Sequence, residues 1–244
     1  MRSLDPFRDC ARDLGIPQDE VERWLDTNVR PCASLGGLPT GGPVVGRFGG
    51  LPRLPEDEPV PDLPFLASID LAAVPPDATD LPLPTDGTLL FFADTSDLAP
   101  MRRRGWSRLV HVPAGTPVSE RGPGDEQPRQ VHQAHDLHLE IDPSLPNRGD
   151  HYSEGFEHGD ELGEVWWDIA GEVQKGGPVQ IGGYPWVWNN DAVRGTDHGP
   201  GDWVLLAEFG TDDDGLLGTI HWVIRREDLA AGRLAGTVAC YDTA

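Results

Sequence analysis

The sequence predicts an α+β protein that is β-rich, with a mostly antiparallel sheet built from two pseudo-symmetric strand-pair halves and with N-terminal and mid-chain helices. Composition is the first observation behind this prediction, because 30 glycines and 24 prolines among 244 residues indicate short strands joined by many ordered turns. The second observation is a repeated pattern of apolar, β-branched segments separated by polar turns. With 38% hydrophobic residues and a mean hydropathy of -0.39, the chain has the composition of a globular protein.

The repeated pattern has three landmarks in each half of the chain. A Gly-Gly-x-Pro motif comes first, an apolar strand second, and a strand that follows Gly-Thr third. The landmarks occupy residues 49–52, 64–70 and 87–92 in the first half and residues 182–185, 203–209 and 218–224 in the second. Measured from Gly49 to Gly182, from Phe65 to Leu205 and from Gly87 to Gly218, the offsets are 133, 140 and 131 residues, so the spacing varies only as loop lengths vary. We interpret the pattern as an internal duplication.

We predict a single domain over residues 1–244. Its parts are a helical N-terminal cap over residues 1–30, a first β half over 31–147, a loop and helix connector over 148–177, and a second β half over 178–244. In the cap, Asp5 is expected to be the N-cap of a first helix with Pro6 at its first position. A second helix is expected to begin at Pro17 and to present Val21, Trp24 and Leu25 on one face.

The remaining elements follow from apolar periodicity and from turn residues. Residues 36–64 carry so many glycines and prolines that we predict irregular loop there, and we predict loops at 113–134 and 143–159 as well. The stripe of Leu162, Val165, Trp166, Ile169 and Val173 predicts a helix over residues 160–173. Beyond the repeated pairs, strands are expected at 31–35, 108–112, 136–142, 179–181 and 236–241, with a short helix at 227–231.

A formal net charge of -22 repels nucleic acid phosphates and anionic lipid surfaces, so we expect neither nucleic acid nor membrane as a partner. A basic protein is the partner that this charge favours. The arginines at 102, 103 and 104 are interpreted as a solvated loop rather than an anion site. Cys10, Cys32 and Cys240 are odd in number and far apart, and no apolar leader or 18-residue apolar run occurs, so a cytoplasmic location is expected.

Six segments of the chain resemble the YwqG-like family, a bacterial domain family with no assigned function. They are residues 47–55 (RFGGLPRLP), 65–71 (FLASIDL), 87–92 (GTLLFF), 181–185 (IGGYP), 205–209 (LLAEF) and 228–229 (DL). The resemblance runs from about residue 45 to 241 and implies a single α+β unit with a mostly antiparallel sheet. Some members lie near toxin and immunity genes, which implies a role as a binding partner.

Polar positions depart from the family pattern more than the scaffold motifs do. Where relatives have glutamine in the first strand this chain has Ser68, and the matching position of the second half is Glu208. Gln180 stands where a histidine often precedes the second Gly-Gly-Tyr-Pro, and Asn189 replaces a glutamine beyond it. If these positions form a ligand site in relatives, the resemblance implies an altered or lost site here.

Glu208 is the strongest single candidate for a binding site. It lies mid-strand between Ala207 and Phe209, where an ionised carboxylate is costly unless it is paired or hydrogen-bonded. We expect it to share a face with Val204 and Leu206 and to pair with Arg47 or with an arginine at 225–226. The alternatives are a sheet face open to solvent and a polar cleft between the two halves, to which Ser68 and Asp70 would contribute.

Aromatic and amide side chains after the second Gly-Gly-x-Pro form another candidate site. Trp186 and Trp188 alternate ahead of Asn189 and Asp191, and Tyr184 precedes them. Exposed tryptophans beside amides suit a sugar or peptide ligand, whereas aromatic residues that cap a core are the alternative.

Two segments have residue types that bind metals. His132, His135 and His138 are spaced by three, but a strand would place His135 and His138 on opposite faces, so a polar surface is the favoured interpretation. The carboxylates at 212–214 lack the alternation of a calcium loop and fit a hairpin turn. We predict no cofactor, since the chain has no P-loop, no dinucleotide-binding glycine motif and no nucleophile elbow.

Two functions remain open at this point. The leading hypothesis is a non-catalytic binding protein, an immunity-like partner whose acidic surface meets a basic protein. The alternative is a hydrolase or metal-dependent enzyme that uses a polar cleft near Glu208 with Asp70 or the histidines at 132–138.

Overall fold

The computed structural model describes residues 2–37, 41–94, 105–122, 131–174, 177–194, 199, 201–210 and 218–243. The α-helices are α1 (Asp5–Asp13), α2 (Gln18–Asn28), α3 (Asp150–Ser153), α4 (Gly159–Val173) and α5 (Arg226–Ala230). The strands are β1 (Arg30–Gly36), β2 (Val44–Phe48), β3 (Arg53–Pro55), β4 (Phe65–Asp70), β5 (Thr88–Ala93), β6 (Ser107–Val112), β7 (Val118–Glu120), β8 (His135–Ser144), β9 (Val179–Ile181), β10 (Trp203–Phe209), β11 (Thr219–Arg225) and β12 (Val238–Asp242). Two 3-10 helices cover Leu71–Ala73 and Leu234–Gly236.

Ten of the strands form one antiparallel sheet in the order β12-β11-β10-β9-β1-β8-β2-β4-β5-β6, and β3 pairs with β7 in a separate small sheet. The large sheet curls until it is nearly closed. The Phe91 ring on β5 lies 5.0 Å from that of Phe209 on β10 and 5.2 Å from that of Trp222 on β11. Since six strands separate β5 from β11 in the sheet, these contacts span its inner face. The fold is therefore β-rich and mostly antiparallel, as predicted.

The inner face holds the main apolar core. Its buried side chains come from β1, β2, β4, β5 and β8 to β11, and they include Phe48, Phe91, Phe209 and Trp222. Alternating positions along each strand bury one side chain inward and turn the next outward. The main core therefore lies within the curl of the sheet.

The outer face is covered by helices over its middle strands. Phe7 of α1, Trp24 of α2 and Trp166 of α4 are almost fully buried in a second apolar cluster, and the Phe7 and Trp24 rings stack 5.5 Å apart. The apolar stripe predicted for α4 faces this cluster, which confirms that helix. The helices thus leave the outer face of β10 and β11 to be covered by the chain that follows β9.

Each Gly-Gly-x-Pro motif makes the same sharp turn. The four glycines at 49, 50, 182 and 183 have φ between 64° and 74°, a left-handed conformation that glycine adopts without steric cost. The Gly49 amide donates to the Leu66 carbonyl at 2.7 Å, and the Gly182 amide donates to the Leu206 carbonyl at 3.3 Å. Register shifts occur at the same two places, between Phe65 and Ala67 and between Leu205 and Ala207. Each turn therefore seats on a β-bulge of a neighbouring strand.

Several local predictions are wrong in detail. The segment 36–64, predicted as loop, contains β2 and β3, because strand pairing with distant β8, β4 and β7 satisfies its backbone despite the glycines. The loops predicted at 113–134 and 143–159 contain β7 and α3. Asp5 is the first residue of α1 rather than its cap, since Leu4 holds the N-cap position without a side-chain bond.

Some predictions fall on residues outside those described. The arginines at 102–104 and the carboxylates at 212–214 are among them. Within the described ranges, no helix combines the length and the apolar character that crossing a membrane requires.

An ion pair joins α2 to the start of α4. The Glu20 carboxylate is 4% exposed as a residue and accepts from both His158 N and His158 Nδ1 at 2.8 Å. These bonds lower the pKa of Glu20 from 4.5, and the bond to Glu20 raises the pKa of His158 from 6.5. Glu20 therefore contributes stability that is lost as pH falls through its lowered pKa, and His158 contributes stability that is lost as pH rises through its raised pKa.

We expect this pair to stabilise the protein most between about pH 4.5 and about pH 6.5, and to weaken above that range. In His158→Gln, a neutral donor remains but the titration is removed. The fall in the denaturation midpoint between pH 6 and pH 8 should therefore be smaller in the variant than in the wild type. Equal pH dependence in the two proteins would show that the pair does not couple stability to pH.

Candidate functional site

The segment 184–190 lies against the outer face of the second half and is held there by buried polar groups. The Trp186 amide donates to Glu208 Oε2 at 2.7 Å. Gln180 Nε2 donates to the carbonyls of Gly182 and Tyr184, at 2.9 and 3.0 Å. Two neighbouring side chains of the sheet thus replace the strand partners that this segment lacks.

Asp242 holds the far end of the segment. Its carboxylate is 2% exposed as a residue and accepts from the amides of Trp188, Asn189 and Asn190 at 2.7 to 3.2 Å. Consecutive amides that converge on one carboxylate form strong, charge-assisted hydrogen bonds. The end of β12 therefore fixes the backbone that carries Trp188.

Asn147 and Ser144 fix the same segment from the other side. Asn147 Oδ1 accepts from Val187 N at 3.1 Å, and its Nδ2 donates to Val187 O at 3.0 Å, as a neighbouring strand would. Ser144 Oγ accepts from Tyr184 N at 2.9 Å. Polar side chains thus bind the backbone amides on both sides of Trp186 and Trp188 and define where these two residues lie.

Three half-buried tryptophans meet at the surface of this segment. The Trp167 ring lies 4.9 Å from the Trp186 ring and 5.2 Å from the Trp188 ring. The Arg148 guanidinium lies 4.7 Å over the Trp167 ring, and its Nη1 donates to the Trp188 carbonyl at 2.8 Å. We call Trp167, Trp186 and Trp188 the tryptophan cluster.

Carboxylates border the tryptophan cluster. Asp160, Glu164 and Asp168 are exposed at every fourth residue along α4 and therefore lie on one face of that helix. A cavity of about 580 Å³ opens beside them, between α4 and the residues 146–153, and Trp167 and Arg148 also line it. Residues 148–173 contain eight carboxylates and one arginine. We call this helix surface and the adjoining cavity the acidic face.

Glu208 lies in a row of polar side chains that crosses the outer face of the sheet. In register, Gln180, Glu208 and His221 are consecutive neighbours across β9, β10 and β11. Glu208 Oε2 lies 3.1 Å from His221 Nε2, and the His221 side chain is fully buried. Because the segment 184–190 covers this row, neither residue lines any of the cavities described here.

Two expectations for Glu208 are wrong. Its partners are Trp186 N and His221 rather than Arg47 or the arginines at 225–226. The bulge between Leu205 and Ala207 also changes the alternation, so Leu206 packs in the inner core together with Ala207 and Phe209. Glu208 therefore points to the opposite face from Leu206.

Arg47, Ser68 and Asp70 come together in a separate cleft on the first half. This cleft has a volume of about 350 Å³, and Arg53, Asp86 and Thr88 also line it. The Asp70 carboxylate accepts from Ala72 N at 3.1 Å and so caps the first 3-10 helix. Five strand spacings of about 4.8 Å separate β4 from β10, so Ser68 and Glu208 do not share the cleft expected between the halves.

The remaining candidate residues, Tyr184, Asp191 and Asn189, each contact neighbouring parts of the chain. Tyr184 is 5% exposed, the Arg30 guanidinium lies 4.3 Å over its ring, and burial raises its pKa. Asp191 Oδ1 accepts from the amides of Val193 and Arg194, at 2.9 and 3.2 Å. The Asn189 side chain donates to the Thr243 carbonyl. Burial raises the pKa of the Cys32 thiol to about 12, which leaves it unreactive near neutral pH.

The histidines at 132, 135 and 138 do not form a metal-binding group. His132 and His135 both pack against the Phe48 ring, at 5.5 and 5.2 Å between ring centres, whereas His138 Nδ1 lies 3.3 Å from the Gly42 carbonyl. Within the ranges that the structure describes, no three His, Cys, Asp or Glu side chains are placed to hold one metal ion.

Among the residues of the site that sequence reasoning missed are Asn147, Arg148, Trp167 and Asp242. Trp167 had a detectable signal, because it lies beside Trp166 but outside the apolar stripe of α4. Asp242 had none, since only the sheet order brings the end of β12 beneath residues 188–190.

Comparison with known families matches most of the chain to a family model. The family described as Domain of unknown function (DUF1963) matches residues 46–242, which include both Gly-Gly-x-Pro motifs, the cleft of the first half and the tryptophan cluster. Among curated proteins, no relative matches the chain.

Proposed function

Because the chain belongs to the family described as Domain of unknown function (DUF1963), which supplies no activity, we propose a function from its geometry. We propose that it is a non-catalytic binding protein and that the tryptophan cluster and the acidic face together receive a basic segment of a protein partner. The observation that carries this proposal is the position of three half-buried tryptophans beside the exposed carboxylates of α4.

Charge complementarity defines the occupant. Eight carboxylates against one arginine over residues 148–173, in a chain of net charge -22, attract cationic groups and repel anionic ones. Tryptophan faces bind guanidinium and ammonium groups by the cation–π interaction, which is stronger where the cation is partly desolvated. An arginine-bearing or lysine-bearing segment satisfies both features at once.

Arg148 of this chain already makes the kind of contact that we propose for a cationic side chain of the partner. Its guanidinium stacks on Trp167 and donates to the Trp188 carbonyl, so the cluster accommodates a guanidinium in the unbound chain. The fixed backbone at 184–190 limits the entropy that the tryptophans lose on binding. Preorganised aromatic anchors with an acidic border are typical of a protein-binding surface.

We propose further that the protein has an immunity-like role, in which its basic partner is a toxin. The resemblance to the YwqG-like family and the acidic composition support it. The three cysteines form no disulfide, which is compatible with action in the cytoplasm.

We also propose that the two halves are pseudo-symmetric products of a duplication. Strands at the same distance from the middle of the sheet, which lies between β1 and β8, form four pairs. These pairs are β2 with β9, β4 with β10, β5 with β11, and β6 with β12. Ser68 pairs with Leu90 as Glu208 pairs with His221, which reproduces the offsets of 140 and 131 residues found in the sequence. The two bulges beneath the two Gly-Gly turns support the same relation.

The enzymatic alternative has less support from the geometry. It required Glu208 to act with Asp70 or with the histidines at 132–138, and these groups lie in different parts of the sheet. The Glu208 carboxylate also accepts a backbone amide and lies 3.1 Å from His221 Nε2 beneath the segment 184–190. No described cavity reaches Glu208 and one of its supposed partners together.

A defined cationic peptide tests the proposal. We expect a short peptide of alternating arginine and glycine to bind and to change the tryptophan fluorescence, and its glutamate counterpart to remain unbound. Glu164→Lys should weaken binding roughly tenfold, because it places a like charge beside the cluster. Isothermal titration calorimetry at low and at physiological salt would measure the affinity of each peptide for the wild type and for the variant.

Glu227→Lys is the matched control, since it makes the same charge change at an exposed position of α5. It should weaken binding by less than about twofold at physiological salt, where distant charges are screened. Equal losses in the two variants would mean attraction by net charge alone, and would overturn the proposed site. Absence of binding by the arginine peptide would overturn it as well.

A further inference from the structure

The cleft of the first half holds four charged side chains that form no ion pair within the described part of the chain. Arg47 and Arg53 are cationic, Asp70 and Asp86 are anionic, and all four are exposed. The Ser68 hydroxyl also lines the cleft and makes no hydrogen bond to a described residue. Two charges of each sign are thus held around one cavity of about 350 Å³ without neutralising one another.

The sheet keeps this cleft open, although the matching place in the second half is filled. There, Glu208 accepts the Trp186 amide, and the segment 184–190 covers the row. In the first half the chain after Gly50 leaves the sheet to form β3, which pairs with β7 instead. Ser68, the residue that occupies the position of Glu208 on β4, therefore lines a cleft among the described residues.

The chemistry of the row also differs between the two halves. Gln180 and Glu208 of the second half correspond by strand position to Arg47 and Ser68 of the first. The Glu208 carboxylate, which only accepts, is replaced by the Ser68 hydroxyl, which can also donate, and the Gln180 amide is replaced by the Arg47 guanidinium, which only donates. The two arginines of the cleft therefore favour a ligand with an acceptor, and carboxylate and phosphate are the groups that a guanidinium binds in bidentate geometry.

We propose that this cleft is a binding site for a small zwitterion of the amino acid type, a free α-amino acid or a dipeptide. The arginines receive its carboxylate, and Asp70 and Asp86 receive its ammonium group. This site is separate from the acidic face and does not depend on the function proposed there.

Charge and size favour the zwitterion over an inorganic anion. The charged lining sums to zero, so a neutral ligand with separated charges matches it, whereas phosphate meets two carboxylates and a protein of net charge -22. The volume lies at the lower end of the range of ligand pockets, about 300 to 1,000 Å³, which suits a ligand of one or two residues.

The test is titration of the ¹⁵N-labelled protein, followed by its amide resonances. The probes are the individual L-amino acids, the dipeptide Ala-Ala, inorganic phosphate and acetate. We expect at least one amino acid or Ala-Ala to shift the amides of Gly46, Ser68 and Thr88 saturably, at about 1 mM or below. The comparison of free amino acids with Ala-Ala distinguishes the two sources of the zwitterion.

Arg47→Gln should weaken this binding at least about tenfold, because it removes a charged donor from an exposed position that forms no ion pair within the described part of the chain. Arg12→Gln is the control and should leave binding unchanged, since Arg12 is exposed on α1, where it pairs with Asp9. The proposal is overturned by any of three results: no saturable shift with a zwitterion, phosphate or acetate binding as tightly, or equal affinity in Arg47→Gln and the wild type. Amides of α4 and of residues 186–190 should stay unshifted, so failure here is distinguishable from failure of the acidic face.

Discussion

Phe91→Ala is expected to lower the free energy of unfolding by about 3 to 5 kcal/mol. Phe91 is fully buried on the inner face, where its ring contacts Phe209 and Trp222 from strands that lie far away in the sheet. Truncation therefore removes apolar burial and leaves a cavity at the point where the curled sheet meets itself. Chemical denaturation followed by circular dichroism measures the loss.

Phe156→Ala is the matched control, because Phe156 is only half-buried and packs at the margin of the helical cluster. Its loss should be about 1 kcal/mol, the ordinary value for a single substitution. If Phe91→Ala cost no more than Phe156→Ala, the inner face would not hold the two ends of the sheet together.

The strand pairs and α4 were predictable because their signals are local. Residues 203–209 and 219–225 are apolar and β-branched with a polar turn between them, and the structure places β10 and β11 there as an antiparallel pair. The stripe that begins at Leu162 predicts α4 in the same way, because burial of one helical face requires that period. Neither prediction needs knowledge of a distant partner.

The strands β2 and β3 could not be predicted because long-range pairing decides them. Val44–Phe48 contains a glycine and an arginine, which are common in loops. It is nevertheless a strand, because its backbone hydrogen-bonds to β8 on one side and to β4 on the other. Long-range pairing also decides on which face of the sheet Glu208 lies, so that face could not be predicted either. A bulge one residue away reversed its face, and a bulge is defined only by the partner strand.

The tryptophans at 186 and 188 could be predicted as part of a site from the sequence. The residues that pack against them or hold their backbone could not. Trp186 and Trp188 were identified from alternation beside a Gly-Gly turn, and they lie together at the surface. Trp167 comes from α4 and Asp242 from the last strand, so only the tertiary structure joins them to the segment 184–190. The prediction of a cleft shared by Ser68 and Glu208 is wrong for a related reason, because β4 and β10 lie on opposite sides of the middle of the sheet.

Asp242→Asn is expected to destabilise the protein by about 2 to 4 kcal/mol, although the two side chains are nearly isosteric. The carboxylate accepts from three consecutive backbone amides and from Thr243 N. Asparagine offers one oxygen and turns an NH₂ donor toward the remaining amides, so buried donors lose their acceptor. Denaturation monitored by tryptophan fluorescence measures the loss.

Asp202→Asn makes the same chemical change at a side chain that is 77% exposed, with Arg226 at 3.6 Å, and should cost less than about 0.5 kcal/mol. We expect Asp242→Asn to weaken peptide binding as well as stability. Under conditions in which Asp242→Asn remains folded, the loosened backbone at 188–190 no longer fixes Trp188, so the arginine peptide should bind more weakly although every carboxylate of α4 is present. Unchanged affinity in that folded variant would show that the tryptophan cluster does not depend on its carboxylate support, and that the attraction of the acidic face alone accounts for binding.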